Sequence, residues 1–330
     1  MSRPGAALPM GLALLVLALA IMGLTLGDYP LPLSAILATL AGGGEGVDRF
    51  ILLDLRLPRV LTGALAGAAF GLSGALFQSI TRNPLASPDI IGFNAGAALG
   101  AVAVIAAFGT TIGWAVTLGA LGGGLLAAVL VVATAWRGGL QAGTIVLAGI
   151  GIGFTAFAGV DFLLTRGSVL EAGAIVHWLT GSLLARDHGH VVTAALGLVL
   201  FATPLMLLRD RLTTLELGDE AATGIGLDVI ALRAGAAGLG IGLIGTAIAV
   251  AGPVPFVAFV AGPLARRISG RAGPNLPLAA LIGAAILLAA DLAGRLAFAP
   301  TELPAGTFTA VFGAPYLLWL LWRQIQSGEI

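Results

Sequence analysis

The chain is built from long apolar runs separated by short polar breaks, a pattern typical of helices that cross a membrane. A helix needs about 20 apolar residues to span the ~30 Å hydrocarbon core of a bilayer. Nine runs approach or reach that length, at roughly 7–27, 58–80, 91–108, 114–136, 141–164, 190–208, 229–251, 277–298 and 305–322. A tenth, at roughly 254–268, is too short to span unaided and is expected to be a tilted, broken or re-entrant segment. The pattern predicts an all-α integral membrane protein with about ten transmembrane helices.

Composition supports this fold class. Of 330 residues, 58% are hydrophobic and 10% are charged, against about 25% charged in soluble domains. Glycine occurs 50 times, and small residues allow helix backbones to approach closely within membranes. Two sets of glycines spaced four residues apart predict smooth packing stripes, one at Gly63, Gly67 and Gly71 and the other at Gly92, Gly96 and Gly100.

Missing residue types exclude several kinds of chemistry. All 16 positively charged residues are arginine, whereas a P-loop requires a lysine to reach the nucleotide phosphates. Any ATP hydrolysis must therefore reside in another chain. The absence of cysteine excludes disulfides, thiolate metal sites and iron–sulfur clusters, and a net charge of zero offers no basic footprint for nucleic acid. We expect no cofactor and no metal site in this chain.

Arginine placement predicts the orientation, because arginine accumulates in cytoplasmic loops. With the N-terminus inside, the outer face collects six arginines (49, 56, 59, 166, 186 and 295) and the cytoplasmic face collects nine (3, 82, 137, 209, 211, 266, 267, 271 and 323). We expect both termini to be cytoplasmic and the first run to be an uncleaved helix rather than a signal peptide. The most charged window, 209–228, falls on the cytoplasmic side, and its Leu, Ala and Ile content predicts short amphipathic helices that form a docking surface.

Arginines on the outer face require a reason to be there. Arg56 and Arg59 flank Pro58, which is favoured in the first turn of a helix, and so project to similar sides of the predicted start of the second span. They either reach toward lipid headgroups or grip carboxylates from a partner, to which arginine binds in a bidentate manner. Arg295 lies on the same face, four residues after Asp291, and this spacing predicts an intramembrane ion pair between them.

Five stretches of the sequence carry a resemblance to a known family. RLPRVLTGALAGAAFGLSGALFQSITRNPLASPDIIGFNAGAALGA (56–101) is followed by LGDEAATGIGLDV (217–229), AGPVPFVAF (251–259), ADLAGR (290–295) and ELPAGTFTAVFGAPYLLWLL (302–321). Together they resemble the FecCD/vitamin-B12-type permeases of ABC importers, the transmembrane subunits for iron-siderophore, haem and cobalamin uptake. The resemblance covers nearly the whole chain. It implies one polytopic permease domain (1–330) in the type II ABC importer fold, located in the bacterial inner membrane, where two subunits enclose a central pathway.

The resemblance also implies partners and site residues. Arg56, Arg59 and Arg295 would receive carboxylates from a periplasmic or lipid-anchored substrate-binding protein. A dimer of separate ATPase subunits would use the ATP, and a second permease subunit, identical or different, would complete the pathway. The coupling segment (about 209–228) would dock on the ATPase through Glu216, Leu217, Gly218, Asp219, Glu220, Ala221, Ala222, Gly224 and Gly226.

One motif departs from the family pattern. Relatives commonly read F-V-G-L-x-x-P-[HQ]-I-x-R after the seventh span, whereas this chain reads FVAFVAGPLAR at 256–266. Pro263 is displaced by one residue and the His or Gln is absent, so the helix kink is expected to shift. The WLTGSLLARD stretch (178–187) and FVAFVAGPLARR (256–267) resemble permeases for ferric catecholate siderophores such as enterobactin. Permeases for cobalamin and haem share most of these motifs, so cobalamin and haem stay open as alternative substrates.

Two rival functions remain. A secondary transporter would use Asp161 and Asp291, the two intramembrane acids, as ion or proton sites. A polytopic membrane enzyme would need clustered polar catalytic groups, which the sequence lacks. The GIGIG run at 149–153 lies inside an apolar span and does not follow a strand, so it is not a dinucleotide fingerprint. His188 and His190 have Asp187 as their only nearby acid, and we expect them to bind no metal.

Overall fold

The computed structural model describes residues 7–44, 46–84, 86–88, 92–109, 113–136, 142–167 and 169–327. Within these ranges the secondary structure is entirely helical. The helices are α1 (Ala7–Thr25), α2 (Leu33–Leu40), α3 (Gly46–Phe50), α4 (Leu57–Thr81), α5 (Phe93–Phe108), α6 (Gly113–Trp136), α7 (Ala142–Arg166), α8 (Val169–Leu179), α9 (His188–Leu207), α10 (Arg209–Leu215), α11 (Asp219–Gly224), α12 (Val229–Ala251), α13 (Val257–Ser269), α14 (Leu276–Leu296) and α15 (Ala305–Ser327).

The ten predicted spans are confirmed as helices. They correspond to α1, α4, α5, α6, α7, α9, α12, α13, α14 and α15. In the described part of the chain, seven helices are long and apolar enough to cross a membrane, and Phe93–Phe108 and Ala305–Leu320 are shorter apolar helices. The remaining one, α13, has only 13 residues and contains Pro263, as expected of the short run at 254–268. The chain is therefore an all-α membrane protein with about ten spans.

The second span begins earlier than the sequence predicted. Leu57–Thr81 continues without a break from Gly46, so that one helix of 36 residues covers Gly46–Thr81. The turn immediately before Pro58, Ile51–Arg56, is π-helical. Proline has no N–H and its ring presses on the carbonyl four residues earlier, and a widened turn relieves that clash. Pro58 lies in the first turn of α4, as predicted, and the helical backbone that continues upstream to Gly46 is what the sequence did not predict.

Glycine contacts place α4 at the centre of the bundle. α4 packs against α14, α12, α13, α9 and α1. A Cβ added to Gly67 would collide with the Gly283 carbonyl of α14, and one added to Gly71 would collide with the Ala279 carbonyl. Gly74 lies equally close to the Ala258 carbonyl of α13. The first predicted stripe is therefore a packing face, because at these positions any side chain would push the backbones apart.

The second stripe joins α5 to α6. Gly96 lies against the Gly123 carbonyl and Gly100 against the Gly119 carbonyl, and the two helices make an extensive contact. Gly92 is different. It has a φ of +76° and caps the start of α5, and it packs against α7 rather than α6, because an added Cβ would be 3.0 Å from the Gly149 carbonyl.

The glycine contacts predict that one added methyl group lowers stability at Gly71 but not at Gly122. Gly71→Ala should destabilise the protein by about 1–3 kcal/mol, the usual cost of overpacking a tight core. Gly122→Ala is the matched control, because Gly122 lies on α6 with no atom within 4 Å of its added Cβ, and there alanine should be neutral or slightly stabilising. Thermal unfolding midpoints in detergent would test this, and equal midpoints for the two variants would contradict the packing role of Gly71.

Candidate functional site

A cavity of about 400 Å³ opens at the end of the bundle where α4 begins. Four arginines and two acidic residues contribute to its wall. We call it the arginine pocket, and its lining residues are Gly27, Asp28, Tyr29, Ile51, Leu55, Arg56, Arg59, Leu184, Ala185, Arg186, Arg295 and Glu302. The three arginines that the family resemblance singled out therefore lie together.

Arg56 holds the end of α1. Its guanidinium donates through Nη1 to the carbonyls of Leu24 (2.8 Å) and Thr25 (3.3 Å), and through Nη2 to the carbonyl of Tyr29. The residue is only 6% exposed. The last carbonyls of a helix lack partners within the helix and form the negative end of its dipole. Arg56 supplies both the hydrogen bonds and the opposite charge.

Arg295 reaches the same helix end from α14. It donates through Nη1 to the Gly23 carbonyl (3.0 Å) and through Nη2 to the Leu26 carbonyl (2.8 Å). Gly27 lies between the two guanidiniums: a Cβ on this residue would be 2.8 Å from the Nη2 atoms of both Arg56 and Arg295. Its φ of +144° also disfavours any other residue. The end of α1 is thus clasped by two arginines around a glycine.

Arg59 makes the main ion pair of the pocket. It binds the Asp291 carboxylate in a bidentate manner, with Nη2 2.9 Å from Oδ1 and Nε 3.0 Å from Oδ2. Its Nη1 contacts Glu302 at 2.8 Å. Arg59 and Asp291 are largely buried, and Glu302 is more exposed. Paired, bidentate geometry is what makes a buried guanidinium tolerable.

The predicted partner of Asp291 was wrong. Spacing of four residues correctly places Asp291 and Arg295 near one face of α14, but the carboxylate contacts Arg59 of α4 whereas Arg295 turns to the carbonyls of α1. α14 packs against both α1 and α4, so the carboxylate meets a cation on α4 while Arg295 meets the carbonyls at the end of α1. Asp161, the other intramembrane acid, is exposed on the surface of α7.

Arg186 is a pocket residue that the sequence analysis did not assign. It lies in the segment between α8 and α9, where its Nη2 donates to the Ser182 carbonyl at 2.9 Å. Its Nε is buried and has no hydrogen-bond partner in the described part of the chain. Burial lowers the pKa of Arg186 to about 10, and the nearby charge of Arg59 acts in the same direction. The one available signal was its place among the outer arginines.

His190 takes part in the N-terminal cap of α9. Asp187 is the N-cap of α9 and accepts hydrogen bonds from the backbone N–H of His190 at 3.1 Å and from its ring Nδ1 at 2.7 Å. These hydrogen bonds hold the pKa of Asp187 below its ordinary value. Over the described ranges, no group of three or more His, Cys, Asp or Glu residues could hold a metal ion. His177 lies in α8, but its side chain is outside the described residues.

At the far end of α4, two short helices confirm the predicted structure of the 209–228 window. α10 and α11 are joined at Glu216, whose carboxylate accepts from the Ser79 hydroxyl of α4 and from the Gly273 N–H before α14, both at 2.8 Å. The segment is therefore attached directly to two central helices.

Asp219 provides a second attachment. It pairs with Arg233 of α12 at 2.8 Å and with Arg82, which follows α4, at 3.0 Å. The hydrogen bonds and charge of Arg233, together with the charge of Arg82, hold the pKa of Asp219 below its ordinary value. The adjacent Leu217 and Ile225 are 76% and 69% exposed. An apolar surface on a firmly anchored segment is suited to docking.

The atypical motif at 256–266 forms a polar contact across α4 and α13. Pro263 lacks the N–H that would bind the carbonyl of Phe259 four residues earlier. The side chain of Gln78 takes that role, with Nε2 donating to the Phe259 carbonyl at 3.0 Å, and its Oε1 accepts from Arg266 at 3.1 Å. Gly262 leaves the room required, because a Cβ there would collide with Oε1 of Gln78. Gly262 thus makes room for the side chain of Gln78, and Pro263 leaves the Phe259 carbonyl free to accept a hydrogen bond from it.

A second cavity, of about 560 Å³, lies between α13, α14 and α15. Its wall is apolar and rich in aromatic rings, and the polar side chains in it are Thr309 and Tyr316. The lining residues are Phe256, Val260, Leu264, Ile286, Ala289, Ala290, Ala293, Phe308, Thr309, Phe312, Gly313 and Tyr316. None of these lining residues is charged.

Comparisons with known proteins agree with this architecture. The FecCD transport family matches residues 14–323. The chain is 39% identical over 307 residues to the ferric enterobactin transport system permease protein FepG of Escherichia coli (strain K12), with 93% of each chain covered. It is 36% identical to the Fe(3+)-citrate import system permease protein YfmE of Bacillus subtilis (strain 168), covering 94% of this chain and 93% of that one. A solved inward-facing conformation of a metal-chelate type ABC transporter superposes with a TM-score of 0.86 at 27% identity, covering 96% of this chain and 99% of that chain.

The Arg59–Asp291 pair predicts a specific coupling. Asp291→Leu should destabilise the protein toward the lower end of the ~3–5 kcal/mol expected for an orphaned buried charge, because Glu302 still pairs with Arg59. Adding Arg59→Met should recover most of the loss, since it removes the unpaired cation. Adding Arg295→Met should recover none. Unfolding midpoints of the single and double variants in detergent would test this coupling. If Arg295→Met, and not Arg59→Met, restored the stability lost in Asp291→Leu, the partner of Asp291 would be Arg295.

The contact of Gln78 with Pro263 predicts a second coupling. Gln78→Met should cost about 1–3 kcal/mol, because it leaves the Phe259 carbonyl buried without a donor. In a Pro263→Ala background the alanine N–H can bind that carbonyl, so the same substitution should cost clearly less. Stability measurements on the four proteins of this double-mutant cycle test the idea, and an identical cost of Gln78→Met in both backgrounds would refute it.

Proposed function

Because the chain belongs to the FecCD transport family, we propose that it is the transmembrane permease subunit of an ABC importer for iron-siderophore complexes. The observation that carries the proposal is the placement of two different docking surfaces at opposite ends of one helix. The arginine pocket surrounds the start of α4, and the α10–α11 segment is attached at its end. At 1.5 Å per residue, the 25 residues of α4 separate them by about the thickness of a membrane.

This placement fixes an orientation for the proposal. The arginine pocket faces outward and receives a substrate-binding protein, while α10 and α11 face the cytoplasm with both termini. Leu217 and Ile225 present an apolar surface to a dimer of ATPase subunits, which bind and use the ATP; this chain itself binds no cofactor. A second permease subunit, identical or different, completes the pathway in the bacterial inner membrane.

Glu216 and Asp219 supply the route by which ATPase motion reaches the membrane. Movement of the α10–α11 segment pulls on Ser79 of α4 and on Gly273 before α14 through Glu216, and on α12 through Asp219. α4 and α14 pack through glycine against each other's backbone, so they move together as one body. A displacement at one end is thereby transmitted to the arginine pocket, which is the requirement for alternating access.

The substrate class rests on the relatives and on the apolar cavity. Ferric enterobactin and Fe(3+)-citrate are the cargo named for the two relatives described above. The aromatic, uncharged wall beside α13 suits passage of a whole chelate, whose iron is already coordinated, better than passage of bare iron. Secondary transport through Asp291 loses support, because that carboxylate is held in a bidentate pair with Arg59 and is not available for an ion.

Uptake by proteoliposomes tests the function. Liposomes containing this chain, its second permease subunit and its ATPase should accumulate radiolabelled ferric siderophore when the binding protein and ATP are supplied. Leu217→Asp, which places a charge on the proposed ATPase contact, should reduce uptake roughly tenfold, equivalent to ~1.4 kcal/mol of lost coupling. Leu40→Asp is the matched control, since Leu40 is also exposed but lies on α2, near the opposite end.

Each alternative has its own result. Accumulation of labelled cobalamin or haem, but of no iron chelate, would replace the substrate class and leave the importer intact. Uptake driven by an ion gradient without ATP, and abolished by Asp161→Asn, would replace the importer with a secondary transporter.

A further inference from the structure

Arg186 is the cation of the arginine pocket whose role the fold leaves unexplained. Arg56 and Arg295 are committed to the carbonyls of α1, and Arg59 is committed to Asp291 and Glu302. Arg186 makes one hydrogen bond, to the Ser182 carbonyl, and its buried Nε has no partner among the described residues. An unsatisfied buried donor on a charged group is costly, so its presence requires a reason.

The backbone holds Arg186 in place with some strain. Ala185, immediately before it, has a φ of +55°, a conformation that residues with a side chain seldom adopt. Three residues before Ala185, the Ser182 N–H binds the Ala251 carbonyl at the end of α12 at 2.9 Å. The Ser182 hydroxyl accepts a hydrogen bond from the Leu184 N–H. Strained backbone of this kind persists where the surrounding structure enforces it, and it concentrates at functional sites.

The charges around Arg186 favour an incoming anion. Four guanidiniums line the pocket against the carboxylates of Asp28 and Glu302. The nearest acid in the sequence, Asp187, directs its carboxylate to His190. Burial lowers the pKa of Arg186 to about 10; the charge of Asp187 opposes this shift and the charge of Arg59 adds to it. The group stays protonated at neutral pH. A carboxylate beside Arg186 would give the free Nε an acceptor and offset the repulsion from Arg59.

The rim of the pocket indicates that the carboxylate belongs to a protein. Leu55 and Leu184 line the pocket and are 50% and 44% exposed. A free anion gains nothing from apolar side chains at the entrance, whereas a protein surface can cover them while it inserts one acidic side chain.

We propose that Arg186 is a further docking residue, which receives one Asp or Glu side chain of the substrate-binding protein. The inference rests on the proposed function and deepens it, because it adds a fourth arginine to the three implied by the family. Arg56 and Arg295 shape the pocket by holding α1, Arg59 stays paired with Asp291 and Glu302, and Arg186 makes the contact.

Affinity measurements with charge variants test the proposal. The full-length chain, assembled in nanodiscs with its permease and ATPase partners, is titrated with its fluorescently labelled substrate-binding protein. Arg186→Ala should weaken binding roughly tenfold to a hundredfold and Arg186→Glu more, whereas Arg186→Lys should retain part of the affinity. Arg49→Ala is the matched control, an exposed arginine on the same side of the protein.

The salt dependence of binding separates charge from packing. If Arg186 pairs with a carboxylate, Arg186→Ala should flatten the dependence of the affinity on salt concentration, because one ionic contact is lost. Equal losses for Arg186→Lys and Arg186→Glu, with an unchanged salt dependence, would overturn the proposal, as would wild-type affinity for Arg186→Glu.

The controls also separate this inference from the function on which it rests. Failure of the wild-type assembly to bind the substrate-binding protein would contradict the proposed function itself. Normal wild-type binding, with Arg186 variants indistinguishable from Arg49→Ala, would leave the importer intact and remove Arg186 from its docking site. Free citrate that competes with the binding protein only when Arg186 is present would show a general anion site and would overturn the assignment to a protein side chain.

Discussion

A backbone carbonyl freed at a helix end or a helix break needs a donor where water is scarce, and this constraint explains the positions of Arg56, Arg295 and Gln78. The end of α1 is the clearest case. Its freed carbonyls are met by Arg56 from one helix and Arg295 from another. In the interior, the carbonyl freed by Pro263 is met by Gln78. Each of these side chains crosses from one helix to the next, so satisfying the backbone also joins the bundle together.

The same constraint explains how a glycine-rich membrane protein can be rigid. Apolar side chains gain little from leaving lipid for another apolar surface, so close backbone contact and polar contacts must hold the helices together. α4 has both kinds: glycines where it crosses α14 and α13, and polar groups at its two ends. A helix fixed in this way along its length transmits a push from one end to the other. The fold and the proposed transport cycle thus depend on one element.

Helices and packing faces, which depend on the local sequence, could be predicted. Contacts that depend on which helices become neighbours in space could not. The spans follow from the length of apolar runs, and the packing role of Gly67 and Gly71 follows from spacing along one face. Asp291 shows the limit: spacing identified a polar face on α14 but not which neighbouring helix would face the carboxylate. α2 and the start of the Gly46–Thr81 helix were missed because they are short amphipathic pieces without a full span's length. Arg186 could be counted as an outer arginine, but its free Nε depends on packing between segments far apart in sequence.

The displaced proline shows how one change in a motif is accommodated by residues on another helix. A proline at 262 would free the carbonyl of Ala258, and that carbonyl lies against Gly74, which has no side chain to offer it a hydrogen bond. A proline at 263 frees the carbonyl of Phe259 instead, within 3.0 Å of the amide of Gln78. With glycine at 262, the amide fits against α13 and can also bind Arg266. The pair Gly262–Pro263 therefore moves the break in α13 by one residue to the position where α4 carries a donor, and the fold retains its kinked short helix without an unsatisfied carbonyl.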